Sequence, residues 1–265
     1  MLSISGDISE DTSAICNNGA LIPEVAVPGA YNQVCMNLPE RILKINSQEV
    51  RIQQQASGSG KTGLAVWNSG LVLVRLLVAL TEQGAIDWKN QRVLELGCGT
   101  GLVSIVASRL GSKSVLATDG NPDVVALTRS NLELNQVRDT VQSEVLQWGL
   151  LNAMDYNEAA DIVLGSDLTY NSGTWRVLCE TMATVLSPEG FILYLSLGHD
   201  GFNGNAEVEG FLSVAREQGL VVVSEIGGMQ VSKVLDQVIS PSERNRVLQN
   251  GVSVVVLRHK RFTKK

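Results

Sequence analysis

The densest run of residues with chemical potential is VLELGCGTG at 93–101, an apolar stretch that leads straight into three alternating glycines. Glycine at 97, 99 and 101 lets a backbone turn sharply after a strand and approach a ligand closely, and the helix that follows presents free amides at its N-terminus. The spacing departs from the dinucleotide fingerprint GxGxxG, because Leu102 stands where the third glycine would fall. Asp119 lies ~20 residues further on, after the next apolar run, where an acid accepts hydrogen bonds from ribose hydroxyls. Taken singly, the glycines make a tight strand-to-helix turn and Asp119 caps a helix opening at Pro122. Taken together they describe a pocket for a ribose-bearing ligand.

A second cluster is SDLTY at 166–170, behind the apolar run DIVLG. A carboxylate at Asp167 orients an ammonium or stabilises a positive charge, and the Tyr170 ring hydrogen-bonds or stacks against an alkyl stem. Asp167 as a helix N-cap is the competing reading. Trp67 and Trp148 each offer a flat face to an aromatic base or a cation, or serve as plain core. Ser166 either contacts a ligand or finishes a strand.

These residues need a frame. From Arg92 onward, short apolar runs alternate with helical windows, the pattern of βαβ units and a mostly parallel sheet. Strands are predicted at 92–96, 114–118, 140–146, 161–165, 191–197, 220–226 and 252–258, and helices at 102–110, 122–134, 173–186 and 206–218. Upstream, 41–55 fits a hairpin turning at Asn46-Ser47, and Trp67 opens an apolar helix reaching about Glu82, with Gly84 as its stop. Residues 1–32 form a loosely ordered arm, 33–258 the α/β domain and 259–265 a basic tail.

Composition narrows the function classes. Apolar residues make up 44% and charged residues 18%, which fits a globular domain with a full core. The apolar run LVLVRLLVAL at 71–80 is broken by Arg75 and too short for a bilayer, so no membrane span is expected. The N-terminus lacks the basic and apolar regions of a secretory signal, giving a cytoplasmic expectation. Net charge is −6, against a broad grip on nucleic acid, and RHKRFTKK at 258–265 fits a solvated tail. Cys16, Cys35, Cys98 and Cys179 form no CxxC pair, so neither a disulfide framework nor a metal site is expected. GSGKT at 58–62 lacks the first glycine of a phosphate loop, since position 55 is Gln55. His199 and His259 receive no catalytic role.

The ordered set AVWNSGLVL (65–73), VLELGCGTGL (93–102), ATDGN (117–121), LQWG (146–149) and SDLTY (166–170) resembles methyltransferase family 16, the protein-lysine methyltransferases, over about residues 35–258. Its layout is most similar to the fungal members that methylate translation elongation factor 1-alpha. The resemblance implies a Rossmann-like, seven-stranded class I methyltransferase sheet with helices on both faces and an N-terminal β-hairpin. It implies S-adenosyl-L-methionine as cofactor, held by Trp67, Glu95, Gly97, Cys98, Gly99, Asp119, Trp148 and Ser166. Asp167 and Tyr170 match the DxxY pattern of lysine-methylating members and are the expected catalytic pair. The expected partner is a protein substrate, with elongation factor 1-alpha first, and the expected state a monomer. Against a nucleic-acid adenine methyltransferase stands the absence of prolines after the fourth strand, where Leu168 and Thr169 occur. A small-molecule amine methyltransferase and a non-catalytic binding module remain as alternatives, the intact glycine loop counting against the latter.

Overall fold

The computed structural model describes residues 38–55, 62–197, 204–226 and 251–260, with scattered positions between 231 and 248. Among them the chain forms β1 (Glu40–Ile45), β2 (Gln48–Gln53), α1 (Asn68–Glu82), β3 (Arg92–Leu96), α2 (Leu102–Arg109), β4 (Ser114–Asp119) and α3 (Pro122–Leu134). There follow β5 (Val141–Val145), α4 (Leu150–Ala153), β6 (Ala160–Ser166), α5 (Trp175–Val185), β7 (Leu186–Leu197), α6 (Gly204–Glu217), β8 (Leu220–Glu225) and β9 (Val252–His259). The arm at 1–32, most of the 56–63 loop, Cys16, Cys35, His199 and the end of the tail lie outside the described residues.

Seven strands form one sheet in the order β5-β4-β3-β6-β7-β9-β8. The first five run parallel, and β9 inserts antiparallel to both β7 and β8. Alternation along the central strands explains the two layers of helices. Val93, Ile162, Leu164, Leu193 and Leu195 face a core built with α1 and α2. Leu94, Val163, Ile192 and Tyr194, their neighbours in sequence, face a second core built with α5 and α6. Strands buried on both faces are near-continuously apolar, as parallel sheets require. The 71–80 run is the middle of α1, buried almost all round, and Arg75 escapes by donating from Nη2 to the Lys44 carbonyl at 2.8 Å. Among the described residues no helix is long and apolar enough to cross a membrane.

Three boundaries differ from expectation. β7 starts at Leu186, not 191, because Pro188 forbids helical backbone at the residue before it and Leu186 is already extended (φ −74°, ψ 126°). The helix expected from 173 opens instead as a 3₁₀ turn over Ser172–Thr174, and α5 proper runs Trp175–Val185. The last strand, expected to end at 258, runs to His259, and the Lys260 amide donates to the Gly219 carbonyl at 2.8 Å. The α4 turn has too few residues for a periodic signal and was not foreseen.

The hairpin turns where expected, with Asn46 (φ 50°) and Ser47 (φ 57°) both left-handed, as a two-residue hairpin loop requires. Its outer edge is satisfied by side chains rather than by a third strand. On α3, the buried Asn131 amide donates from Nδ2 to the carbonyls of Gln53 (3.0 Å) and Thr100 (2.9 Å) and accepts from the Gln53 amide (2.8 Å). One turn on, Asn135 accepts from the Arg51 amide at 3.1 Å and donates to the Arg51 carbonyl at 2.6 Å. Two carboxamides spaced i, i+4 thus match backbone groups spaced i, i+2 on β2, and they lock the hairpin to the sheet domain. Asn131→Ala leaves one buried and two half-buried backbone groups without their side-chain partner and is expected to cost roughly 1–3 kcal/mol. Urea unfolding checks this; a midpoint unchanged within error would show that the clamp contributes nothing.

Candidate functional site

The N-terminal ends of β3 and β6 are pinned by a fork: the Arg92 guanidinium donates from Nε and Nη2 to Asp161 at 3.0 and 2.8 Å and holds that carboxyl down at about 2. The site lies at the opposite end. Four adjacent parallel strands, β5, β4, β3 and β6, release their C-terminal loops around one cavity of about 570 Å³, within the range of roughly 300–1,000 Å³ usual for ligand pockets. All ten residues singled out from the sequence line it: Trp67, Glu95, Gly97, Cys98, Gly99, Asp119, Trp148, Ser166, Asp167 and Tyr170.

The glycines of the β3–α2 loop are required by their surroundings as much as by their left-handed backbone (φ 62°, 54° and 81° at Gly97, Gly99 and Gly101). A Cβ on Gly97 would meet Leu168 Cδ2 at 2.5 Å, one on Gly99 the Gly63 carbonyl oxygen at 3.3 Å, and one on Gly101 Thr128 Cγ2 at 2.8 Å. Cys98 between them is buried, its Sγ 3.5 Å from Thr128 Oγ1, and burial pushes its thiol well above the usual range. It is a small packed side chain, not a nucleophile.

Asp119, the last residue of β4, ties this loop to its neighbour. Its Oδ2 accepts from the Gly99 amide at 3.3 Å and its Oδ1 from the Asn121 amide at 3.0 Å. Desolvation raises its pKa and these amides counter the shift. The helix cap that the sequence left open for Asp119 is supplied by Asn121, whose Oδ1 accepts from the Asp123 amide.

Glu95 is fully buried in β3 beneath the loop. Burial pushes its carboxyl up to about 8 against a hydrogen bond donated by Ser104 Oγ (2.5 Å), and the nearby Asp119 charge adds to the rise. Glu95 therefore carries its proton at neutral pH, and a cation brought beside it would draw that proton off.

Asp167 differs most from expectation. It sits in the left-handed region (φ 51°), and one carboxylate oxygen, Oδ1, is spent accepting from the Leu197 amide at 2.7 Å. The helix-cap reading of Asp167 is excluded, because Asn171 Oδ1 caps the following turn through the Gly173 amide at 3.0 Å. Trp67 at the start of α1 and Tyr170 are 47% and 50% exposed, so neither is core; they flank the cavity opening. Trp148 is half-buried and packs on the second core. Ser166 is half-buried at the end of β6.

Sequence reasoning passed over Gly63, Gln147, Leu168 and Thr174, which also line the cavity. Gln147 was within reach, as a polar residue directly after β5 and beside the tryptophan already chosen. Gly63 was not, since its role lies in the contact with Gly99. Among the described residues no cluster of His, Cys, Asp or Glu is arranged to hold a metal ion.

Comparison with known proteins agrees with this geometry. A family model described as lysine methyltransferase matches residues 44–200. The chain is similar to the protein-lysine N-methyltransferase EFM3 of Chaetomium thermophilum, 36% identical over 48% of this chain and 39% of the relative. It is also similar to the protein N-lysine methyltransferase METTL21A of Danio rerio, 34% identical over 56% and 66%. The EEF1A lysine methyltransferase 3 of Xenopus tropicalis is 31% identical over 56% and 63%. The match thus spans less than two-thirds of the length of each of these relatives. Among solved structures the fold resembles M. jannaschii TYW2 in complex with AdoMet, with a TM-score of 0.50 at 18% identity over 83% of this chain and 84% of that one. SMU.776 in complex with SAH has a TM-score of 0.56 at 14% identity over 83% and 56%.

Glu95 makes stability pH-dependent in a definite direction. Its folded pKa of about 8 exceeds the ordinary glutamate value of 4.5, so the stability it contributes is full below pH 4.5 and is lost as pH rises through 8. Glu95→Gln, neutral at all pH, should match the parent near pH 4 and gain on it by up to ~1.4 kcal/mol per pH unit between pH 4.5 and 8. Paired melting curves measure this; a difference that stays flat with pH would mean that Glu95 is ionised in the folded protein.

Proposed function

The chain belongs to the lysine methyltransferase family, and from that premise we propose that it transfers a methyl group from S-adenosyl-L-methionine to a lysine side chain of a protein, with translation elongation factor 1-alpha the first candidate. One observation carries the reading. The carboxylate suited to an amine, Asp167, opens into the same cavity as the glycine loop and Asp119, which are suited to a nucleoside.

The residues present fit such a cofactor. The glycine loop forms a cradle that side chains would fill, Asp119 stands at the end of β4 for ribose hydroxyls, and Trp148 offers a face to an adenine. Glu95 and Ser166 lie toward β3 and β6, suited to the amino-acid end. When bound, the cofactor supplies an electrophilic methyl on a sulfonium. The protein's part is then to position and to stabilise. Trp67 and Tyr170 confine a slender alkyl stem at the opening, and Asp167 orients the neutral amine and offsets the positive charge that grows on it as it attacks. Backbone anchoring through Leu197 fixes that carboxylate, so little reorganisation is needed at the moment of reaction.

The test is methyl-labelled cofactor with purified elongation factor 1-alpha, the product located by mass spectrometry. Label on a lysine Nζ is expected; label only in a nucleotide or a free amine would overturn the assignment. Asp167→Asn keeps an oxygen for the Leu197 amide and tolerates the left-handed backbone, so it isolates the charge. It should lower kcat by at least ~100-fold with cofactor affinity nearly intact. A fully active Asn variant would remove Asp167 from the mechanism.

A further inference from the structure

The segment Asp167–Tyr170 is held from behind by a buried polar chain that no part of the chemistry above uses. The Leu168 amide donates to the Tyr194 hydroxyl at 3.1 Å, that hydroxyl lies 2.9 Å from Thr169 Oγ1, and Thr169 Oγ1 donates to Glu207 Oε1 at 2.5 Å. The Trp175 ring nitrogen, Nε1, donates to the Thr169 carbonyl at 2.8 Å. Tyr194, Thr169 and Glu207 are 0%, 1% and 5% exposed. They come from three separate elements, β7, the β6–α5 loop and α6.

The direction of this chain is fixed by its ends. A backbone amide only donates, so the Tyr194 oxygen accepts from Leu168 and its proton must go onward to Thr169; Thr169 in turn donates to the Glu207 carboxylate in the first turn of α6, where the helix dipole favours an acid. Burial pushes the Tyr194 phenol up, which keeps that proton in place. Every hydroxyl therefore has one orientation. A buried chain in which each hydroxyl both accepts and donates one hydrogen bond favours a single backbone arrangement. The arrangement specified here is an unusual one, since Asp167 is a non-glycine residue in the left-handed region and persists only where its surroundings over-determine it. The Asp167 amide donates to Leu195 at 2.9 Å and Leu168 plugs the space beneath Gly97, which completes the restraint.

We propose that Tyr194, Thr169 and Glu207 are positioning residues for methyl transfer, a buried relay that sets the 167–170 backbone so that Asp167 and Tyr170 meet the substrate amine. The proposal rests on the methyl-transfer reading of the cavity and adds residues that touch neither cofactor nor substrate. Because the relay acts on the substrate side of the cavity, its loss should change turnover and not cofactor binding.

The test uses the full chain with elongation factor 1-alpha and, independently of activity, amide hydrogen exchange of the 167–170 segment. Thr169→Val, close in shape but without the hydroxyl, should lower kcat at least tenfold, leave cofactor Kd within twofold and speed exchange at the Leu168 amide. Tyr194→Phe should do the same. Thr169→Ser, which keeps the hydroxyl, should recover kcat to within threefold of the parent. Variants that melt earlier but keep parental kcat per folded molecule, or parental exchange at Leu168, overturn the relay. Should Thr169→Val fail to fold, Tyr194→Phe against Thr169→Ser decides by the same readouts. A parent protein that methylates no protein lysine overturns the methyl-transfer reading instead, and the exchange measurement then decides on its own whether the relay holds the loop.

Discussion

The site depends on the close approach of one backbone segment, 97–101, to three others. Gly97 lies against Leu168 from the β6 loop, Gly99 against Gly63 from the segment before α1, and Gly101 against Thr128 on α3. Each of these neighbours belongs to a different wall of the cavity or to the helix behind it. The glycines thus do more than bend: their missing side chains are the spaces into which the walls fit. Dispersion and sterics act over tenths of an ångström here, so a single added methyl displaces a wall rather than merely tightening a turn.

From that contact the rest of the frame follows. The wall at Gly63 is delivered by the hairpin, which Asn131 and Asn135 clamp to α3, and by the Gln54 side chain, whose Oε1 accepts from the Val66 amide at 3.1 Å just before Trp67. The wall at Leu168 is delivered by β6 and by the buried hydroxyls of Tyr194 and Thr169. Asp119 couples the loop to β4 through the Gly99 amide. An additional hairpin and an additional polar chain, neither needed to complete the sheet, therefore both bear on the same cavity.

Much of this was legible from residue order. Alternating apolar runs located all seven strands of the sheet, and the glycine loop with Asp119 located the cavity. The failures have physical causes. Pro188 imposed extended backbone on a window whose apolar period continued as helix, so β7 began early. The helix-cap reading of Asp167 failed because Oδ1 accepts from the amide of Leu197, thirty residues away and reachable only once β6 and β7 pair. Glu95 carried an expected role but no sign of its protonation, which comes from burial by the whole sheet and not from its neighbours in sequence. Tyr194, Thr169 and Glu207 had no local signature at all, since a tyrosine in an apolar strand, a threonine in a loop and a glutamate in a helix become one chain only in three dimensions.

The claim on which the account turns is that the cavity above the glycine loop holds S-adenosyl-L-methionine with Asp119 at its ribose. Calorimetric titration of the cofactor into the parent protein and into Asp119→Ala addresses it directly. Two charge-assisted hydrogen bonds at roughly 1.5–3 kcal/mol each are at stake, so saturable one-to-one binding by the parent and at least tenfold weaker binding by the variant are expected. Equal affinities, or no binding by the folded parent protein, would contradict it.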